Sequence, residues 1–286
     1  MFRICALSSG SSGNAYYAEN DEGAVIIDAG LTYKALGEAI TKARASIHNV
    51  RGVLISHDHS DHVSGAGVWY RKQKWPLLLT KGTRHTLRGH LEGIPDSDLK
   101  VFSTQSGSCK IKACGFTVEA YKTPHDATEP VGYVLEYAGK RCGILTDLGH
   151  PFKGLSDILS SLDGVFLESN YDPSMLAANP KYPPHLKRRI SSKNGHLANK
   201  EAGLLLRDAS SCGRLKQATL SHLSKENNRP ELALRTVMEI VNDKGSVLFS
   251  GAGKIQSQDG NTALQTVPQL TISVAPRSEP SGWMVF

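Results

Sequence analysis

His57-Asp58-His59-Ser60-Asp61-His62 follows directly after the apolar run Val53-Leu54-Ile55. Residues 50–56 have the pattern of a buried strand, so the hexapeptide lies where a strand ends and a helix can begin. The first two histidines share one side of the extended chain, and the second aspartate and the last histidine then turn towards a neighbouring position. This spacing predicts a centre that holds two cations close together. The competing interpretation is a solvated polar loop that happens to be rich in histidine.

The residue types of the hexapeptide indicate which metals it suits. Neutral imidazoles and carboxylates are ligands for zinc, manganese or iron. The hexapeptide contains no cysteine, which argues against a closed structural zinc site. We therefore expect an open centre that binds two divalent metal ions, zinc or manganese with iron also compatible, and that activates water.

H-x-H-x-D-H after a hydrophobic strand resembles the signature of the metallo-β-lactamase fold, a superfamily made up mostly of two-metal hydrolases. The remaining signature residues occur in the expected order along the chain. The resemblance implies that Asp28 supports the metal loop without binding metal, and that Asp61 and Asp147 are catalytic as well as metal ligands. It implies seven ligands in total: His57, His59 and His125 for one ion, Asp61, His62 and His222 for the other, and Asp147 as the bridge.

Five further motifs resemble the YycJ/WalJ-like branch of that superfamily: Ser8 to Ala15, His125-Asp126-Ala127, Glu168-Ser169-Asn170, Gly195 to Asn199, and His222-Leu223-Ser224. The resemblance covers about residues 1 to 250 and implies a metal-dependent DNA exonuclease that acts from 5′ ends. Two positions depart from the pattern. Tyr171 stands where a histidine is expected and Ala198 where a serine is expected, which puts substrate preference in doubt.

The composition is that of an ordinary globular protein, with 286 residues, 40% hydrophobic and 21% charged. The order of strand-like and helical stretches predicts an α/β protein, a single-domain αββα four-layer sandwich over residues 1–255. Residues 256–286 are predicted to be a polar extension with one strand candidate at Leu270 to Val274. Helices are predicted at 31–44, 62–74, 199–208 and 230–242.

The sequence also predicts where the protein acts. No run is apolar enough to span a membrane, and the N-terminus passes from a short apolar run into a Ser/Gly loop, unlike a signal peptide. Five scattered cysteines, without a Cys-x-x-Cys pair, are most simply reduced thiols. We therefore expect a cytoplasmic protein without a membrane partner.

The net charge of +6 is concentrated in one stretch. Pro173 to Lys200 contains no acidic residue and six basic ones: Lys181, Lys187, Arg188, Arg189, Lys193 and Lys200. Such a run of basic residues usually forms a solvated helix face. Beside a metallohydrolase centre, contact with a phosphate backbone fits better, which predicts a nucleic-acid partner, DNA by the resemblance.

Several residues outside the metal ligands are candidate site residues. His196 can contact a phosphate oxygen or protonate a leaving group, and the alternative is a structural or helix-capping histidine. The loop from Ser8 to Asn14 offers hydroxyls and close-approach glycines to a phosphate, and the alternative is an ordinary Ser/Gly turn. For Glu168 and Asn170, support of the loop and contact with substrate fit equally well. The predicted substrate contacts are Ser9, Ser11, Asn14, Asn170, Lys187, Arg188 and Lys193.

The sequence leaves three functions open. The first is a metal-dependent phosphodiesterase, a 5′ to 3′ DNA exonuclease that uses a two-metal-activated water. The second is a small-molecule hydrolase of a thioester or lactam, because the same ligands can polarise a carbonyl. The third is a non-catalytic nucleic-acid-binding protein, which would have no need for a complete ligand set.

Overall fold

The structure is a computed structural model that describes residues 1–211, 213–242, 247–249 and 270–286. Its described strands form two mixed sheets. The first has the order β15-β1-β2-β3-β4-β5-β6, with β1 Arg3–Ser8, β2 Ala15–Asn20, β3 Gly23–Ile27, β4 Val50–Leu54, β5 Leu77–Thr80, β6 Leu99–Phe102 and β15 Met284–Val285. The second has the order β13-β14-β12-β11-β10-β9-β8-β7, with β7 Ser108–Ala113, β8 Phe116–Lys122, β9 Val131–Tyr137, β10 Lys140–Leu145, β11 Gly164–Glu168, β12 Gln217–Ser221, β13 Val247–Phe249 and β14 Leu270–Val274.

Helices cover the outer face of each sheet. They are α1 Tyr33–Lys42, α2 Ser60–Val63, α3 Ala66–Gln73, α4 Lys81–Thr86, α5 Leu155–Ser160, α6 Pro173–Ala178, α7 Pro184–Ile190, α8 Asn199–Ser210 and α9 Pro230–Asn242. Helices α1 and α3 pack on the first sheet, and α5, α8 and α9 pack on the second. This confirms the predicted αββα sandwich.

Side-chain alternation along buried strands builds this arrangement. In β1, Ile4 and Ala6 pack between the two sheets, whereas Cys5 and Leu7 pack against the helices. In β11, Phe166 belongs to the central layer and its two neighbours belong to the outer one. Burying one such large apolar side chain stabilises the fold by about 1.5–3 kcal/mol, so both faces of each strand contribute. The continuous apolar strands of the sequence reflect this double burial.

The strand register brings the predicted site together. In the first sheet β3, β4 and β5 are parallel, with Ile27 beside Leu54. In the second sheet β10, β11 and β12 are parallel, with Leu167 between Leu145 and Leu220. Parallel strands end at the same edge, and ligands bind beyond that edge in open α/β sheets. The loops that carry six of the seven candidate metal ligands follow three of these six strands, β4, β10 and β12, and His125 follows β8.

One predicted helix is divided in two. The sequence predicts one helix over 62–74, but the structure has α2 and α3 separated at Gly65. A Cβ atom at Gly65 would lie 2.2 Å from Leu31 O and 2.9 Å from Ala29 O. The Gly65 N–H donates to Ala29 O at 2.8 Å and not to the preceding helical turn, so the helix is interrupted there. The other three predicted helices are confirmed with small changes at their ends.

The C-terminal residues complete both sheets. The strand predicted at Leu270 to Val274 is confirmed as β14, which lies between β12 and β13, and β15 pairs with β1. Residues 270–286, predicted as a polar extension, are therefore part of the layered fold. The predicted boundary at residue 255 lies outside the described residues.

Two other observations bear on the expected location. In the described chain, no helix is both long enough and apolar enough to cross a membrane. Cys5, Cys109, Cys114 and Cys142 are free thiols, and Cys212 lies outside the described residues.

Two glycines should respond in opposite directions to the same substitution. A Cβ atom at Gly30 would lie 1.8 Å from Asp61 O, whereas one at Gly37, inside α1, would meet nothing within 4 Å. Gly30→Ala should lower the free energy of unfolding by about 1–3 kcal/mol through overpacking. Gly37→Ala should raise it by about 1 kcal/mol through helix propensity. Denaturant titration checks both, and equal effects would contradict the close approach at Gly30.

Candidate metal centre

All seven predicted metal ligands lie together at the shared sheet edge. Their ligand atoms fall into overlapping groups, each within 4.8 Å: His57 with His59 and His125; Asp61 with His62 and His222; His57 with His62 and Asp147; and Asp147 with Glu168, His196 and His222. The first two groups are the two sets that the sequence motifs predicted. The other two connect them through Asp147.

Asp147 lies between the two groups. Its Oδ1 is 3.5 Å from His125 Nε2, and its Oδ2 is 3.3 Å from His62 Nε2. Within the groups, His125 Nε2 lies 3.3 Å from His59 Nδ1, and His222 Nε2 lies 3.5 Å from Asp61 Oδ2. Its Oδ1 also lies 3.5 Å from His222 Nδ1, so this carboxylate lies close to members of both groups, as a bridging ligand must.

Buried ligand atoms at this site have no partner in the protein. Among the described residues, His57 Nε2, His222 Nε2 and Asp147 Oδ2 are buried without a hydrogen bond. A buried unsatisfied polar atom costs about 1–3 kcal/mol, so three in one cluster call for an explanation. Imidazole and carboxylate ligand atoms that converge on common points fit a divalent cation. The residues present therefore fit the metal that the fold implies.

The histidines are held from behind so that their free nitrogens converge. Nδ1 of His62 donates to Asp28 Oδ2 at 2.7 Å, and Nδ1 of His125 donates to Gly195 O at 2.9 Å. Nδ1 of His57 lies 2.9 Å from Ser56 Oγ. Such contacts fix the tautomer and leave Nε2 free for a cation. Asp28 also accepts from Ser56 N at 2.8 Å, so one carboxylate contacts both the residue before the metal loop and a histidine of that loop.

Three residues of the site have a left-handed backbone. Asp28, Asp147 and His222 have φ of 65°, 57° and 56°. Each follows closely after a strand, where the chain turns sharply to aim its side chain along the sheet edge. Such conformations cost about 1–3 kcal/mol each for residues other than glycine and collect at functional sites. The backbone strain is thus concentrated at the centre.

Glu168, for which the sequence left loop support and substrate contact open, accepts hydrogen bonds from behind the centre. Its Oε1 accepts hydrogen bonds from Nδ1 of His196 at 2.8 Å and from Nδ1 of His222 at 2.9 Å. Its Oε2 accepts from the backbone N–H groups of Leu148 at 2.6 Å and Leu197 at 3.1 Å. The side chain is fully buried. The sequence signal for this role is a carboxylate at the end of an apolar strand. Such a carboxylate is buried, so it needs buried hydrogen-bond donors around it.

Electrostatics divide the histidines into two kinds. Burial and the neighbouring His62 hold the pKa of His57 well below its usual range, so its imidazole is neutral. Burial also acts to lower the pKa of His62, but the charges of Asp28 and Asp147 outweigh it and raise that pKa well above its usual range. For His222, Asp147, Asp61 and Glu168 likewise outweigh burial and raise the pKa to about 10. The neighbouring carboxylates therefore favour positive charge on His62 and His222.

The predicted substrate residues of the first loop contact the metal ligands. Ser9 Oγ accepts from His222 N at 2.8 Å, and Asn14 Nδ2 lies 3.2 Å from Asp61 Oδ2. Asn170 Nδ2 donates to His222 O at 2.7 Å. These three side chains are buried, whereas Ser11 is exposed. Their direct contact with substrate stays a prediction.

The basic segment, Pro173 to Lys200, is attached to the centre. Gly195 O receives the His125 hydrogen bond, and Arg189 Nε donates to Asp126 Oδ2 at 2.5 Å. Of the predicted contacts, Arg188 and Lys193 are exposed, and Lys187 Nζ donates to Ala177 O at 2.6 Å. The imidazole of His196 is one-fifth exposed and its ring lies 5.1 Å from that of His125.

The two departures from the branch pattern contact each other. Tyr171 and Ala198 form an isolated parallel β-bridge and are both buried in a small apolar cluster with Leu176. A tyrosine and an alanine therefore stand at paired positions where the branch pattern has a histidine and a serine.

The C-terminal segment also reaches the site. Arg277 Nη2 donates to Leu223 O at 2.5 Å, and the Arg277 carbonyl accepts from Ser8 Oγ at 2.7 Å. A Cβ atom at Gly10 would lie 2.6 Å from Arg277 Nη1. This arginine fixes the first loop against the residue that follows His222. No local sequence pattern indicates a contact over this separation.

Comparison with known families agrees with this geometry. Residues 24–254 match the family described as the beta-lactamase superfamily domain. The chain therefore belongs to the metallo-β-lactamase superfamily of metal-dependent hydrolases, as its motifs predicted.

Relatives narrow the membership to the YycJ/WalJ-like branch. The chain is 34% identical over 240 residues to exodeoxyribonuclease YycJ of Bacillus anthracis, covering 84% of this chain and 89% of that protein. It is 33% identical over 241 residues to exodeoxyribonuclease WalJ of Streptococcus pneumoniae, covering 83% of this chain and 87% of that protein. The crystal structure of the metallo-β-lactamase fold protein YhfI from Bacillus subtilis superposes with a TM-score of 0.66 at 12% identity over 98% of both chains, which shows the shared fold.

Glu168→Gln should weaken metal binding. An amide cannot accept from two imidazoles and two backbone N–H groups at once, so His222 loses its orienting partner. We expect a metal affinity about 10–100-fold lower in chelator competition. Glu129→Gln is the matched control, because Glu129 also accepts from two backbone N–H groups, those of Gly82 and Thr104, away from the ligands. Parental affinity in Glu168→Gln would contradict its positioning role.

Metal uptake should release protons. The raised pKa values of His62 and His222 mean that both imidazoles carry a proton at neutral pH in the metal-free protein, and a cation must displace it. Metal affinity should therefore rise with pH through neutrality and fall in acid. Calorimetric titrations in buffers of different ionisation enthalpy measure the protons released. A binding enthalpy that does not depend on the buffer would contradict the protonated state.

Proposed function

We propose that the protein is a metal-dependent exodeoxyribonuclease that hydrolyses phosphodiester bonds of DNA from the 5′ end. The observation that carries this proposal is the attachment of the basic segment to the metal centre, through Gly195 O to His125 and through Arg189 to Asp126. A phosphate chain that follows the basic segment would then pass the ligands. The names of the two bacterial relatives support DNA as the substrate class.

The proposed ligand sets follow the two groups. His57, His59 and His125 would hold one divalent ion, Asp61, His62 and His222 the other, and Asp147 would bridge them. The ions, zinc or manganese with iron also compatible, would supply Lewis-acid polarisation of phosphate and water. Asp61 and Asp147 would offset part of the cation charge and position the attacking water. The free thiols and a DNA substrate favour a cytoplasmic location.

His196 is the proposed general acid. Its Nδ1 is bound by Glu168, so the tautomer is fixed and Nε2 is the nitrogen that can face substrate. Its ring lies 5.1 Å from His125 and 5.3 Å from His222, at the border of both ligand groups. From there Nε2–H can donate its proton to the departing alkoxide oxygen. Glu168 then stabilises the imidazolium before transfer.

The same ligands would also suit a lactam or thioester hydrolase. Such a small neutral or singly charged substrate gains little from six bases in an acid-free segment, which is why DNA is the better proposal. Binding to nucleic acid without catalysis would leave the paired carboxylates, the strained ligand loops and the proton donor without a purpose.

A nuclease assay with end-labelled DNA tests the proposal. The protein with manganese or zinc should shorten DNA from the 5′ end, and Asp147→Asn should abolish turnover because an amide bridges two cations poorly. RNA and a chromogenic β-lactam or thioester are the comparison substrates. Hydrolysis of the lactam or thioester without any cleavage of DNA would overturn the proposal.

His196→Ala should separate acid catalysis from metal binding. General acid assistance contributes about 10²–10⁴-fold, so DNA hydrolysis should fall by that factor while metal content stays parental. On bis(p-nitrophenyl) phosphate, whose leaving group needs no proton, the loss should be much smaller. Equal losses on both substrates would make His196 a phosphate contact, and a fall in metal content would make it a ligand.

A further inference from the structure

A second acid-free stretch lies elsewhere in the chain. His62 to Leu91 contains no aspartate or glutamate and six strongly basic residues: Arg71, Lys72, Lys74, Lys81, Arg84 and Arg88. They belong to α3, to α4 and to the turns that follow these helices. All of these side chains except that of Arg84 are exposed. This stretch has as many strongly basic residues as the segment that follows Pro173.

Few of these charges are neutralised. Arg84 pairs with Asp96 at 2.6 Å, and Lys74 lies over the ring of Tyr70 at 4.9 Å. Among the described residues, no carboxylate lies within salt-bridge distance of Arg71, Lys81 or Arg88. The acids that follow this stretch, Glu92, Asp96 and Asp98, offset only part of it, and Asp98 already accepts from the Tyr70 hydroxyl.

Close packing joins the two helices of this stretch into one surface. A Cβ atom at Gly67 would lie 2.8 Å from His90 O and 3.3 Å from Arg71 Nη1. The absent side chain lets the turn after α4 approach α3. We call the exposed cations Arg71, Lys81 and Arg88 the α3–α4 surface.

The α3–α4 surface is attached to the loop that carries a metal ligand. Thr86 Oγ1 lies 2.8 Å from Thr128 Oγ1, and Thr128 Oγ1 donates to Asp58 Oδ2 at 2.8 Å. Gly82 N donates to Glu129 Oε2 at 2.7 Å. Helix α4 therefore contacts residues 128 and 129, only two positions from Asp126, which pairs with Arg189 of α7. Two basic surfaces from distant parts of the chain meet at one loop.

The centre is most open at that loop. The side chains of His59 and Asp126 are each 30% exposed, whereas His57 and His62 are buried. A substrate reaches the ligands from the side on which these two residues lie. Charges on both sides of such an entrance raise the local concentration of a polyanion and hold it across the opening. A single cationic side would hold it less firmly.

We propose that the α3–α4 surface is a second binding surface for the phosphodiester backbone. It holds the part of the DNA that lies on the opposite side of the entrance from the basic segment. This rests on the proposed function. A solvated surface would also be rich in lysine and arginine, but it would have no reason to be anchored to the ligand loop at Thr128 and Glu129. The partner is a chain of phosphates long enough to reach from the centre to α4.

The test is the triple variant Arg71→Gln, Lys81→Gln and Arg88→Gln, assayed on oligonucleotides of increasing length. On a dinucleotide and on bis(p-nitrophenyl) phosphate, kcat/KM should equal the parental value. It should fall progressively below that value as the substrate lengthens, mainly through KM. The slope of log kcat/KM against log salt should flatten by about 0.7 per lost contact on single strands or about 0.9 on duplex.

The matched control removes three exposed cations elsewhere, Arg44→Gln, Lys216→Gln and Arg235→Gln, and should behave like the parent. Parental values in the α3–α4 variant at every length would overturn the inference while leaving the nuclease activity itself intact. A loss that is equal at all lengths, including the small ester, would also overturn it, because it would mean that the substitutions disturb the centre. Absence of DNA cleavage by the parent would instead refute the proposed function.

Discussion

The centre depends on one constraint: five of its imidazoles, all except that of His59, have the nitrogen that faces away from the cluster hydrogen-bonded from behind. Asp28 holds His62, and Glu168 holds both His196 and His222. A backbone carbonyl and a serine hydroxyl do the same for His125 and His57. Without these contacts the rings could rotate, and the free nitrogens would no longer converge on common points. The sheets, the close glycines and the strained turns all serve to bring these partners within hydrogen-bond distance.

Buried carboxylates also determine the charge of the centre. Asp28, Asp147 and Glu168 are buried and have few solvent contacts, so each needs positive charge nearby. Burial alone would raise the pKa of Asp147, but the surrounding histidines lower it well below its usual range, so it is ionised. Protons on His62 and His222 supply the balancing charge when no cation does. Cation and proton therefore compete for one electrostatic site, which links metal content to pH.

Local signals predicted much of this structure, and long-range contacts account for what was not predicted. The ligand hexapeptide, the strand ends and the helices at 199–208 and 230–242 could be predicted because spacing and hydrophobic period are local properties. The sequence left the role of Glu168 open between loop support and substrate contact, since that role depends on donors from three other segments. The division at Gly65 depends on the carbonyls of Ala29 and Leu31, which only the folded chain places there. Because parallel strands need long connections, residues that meet at one sheet edge lie far apart in the sequence.

The loop of residues 123–130 carries both the candidate ligand His125 and Asp126, which contacts the basic segment. The interactions that hold this loop differ in strength. Glu129 accepts from Gly82 N and Thr104 N, so it holds the loop whether or not substrate is present. The Arg189–Asp126 ion pair is different, because the arginine side chain is 57% exposed. Such exposed pairs contribute about 0–1 kcal/mol. A phosphate can therefore take the guanidinium from Asp126 at little cost, while the hydrogen bonds of Glu129 to Gly82 N and Thr104 N remain.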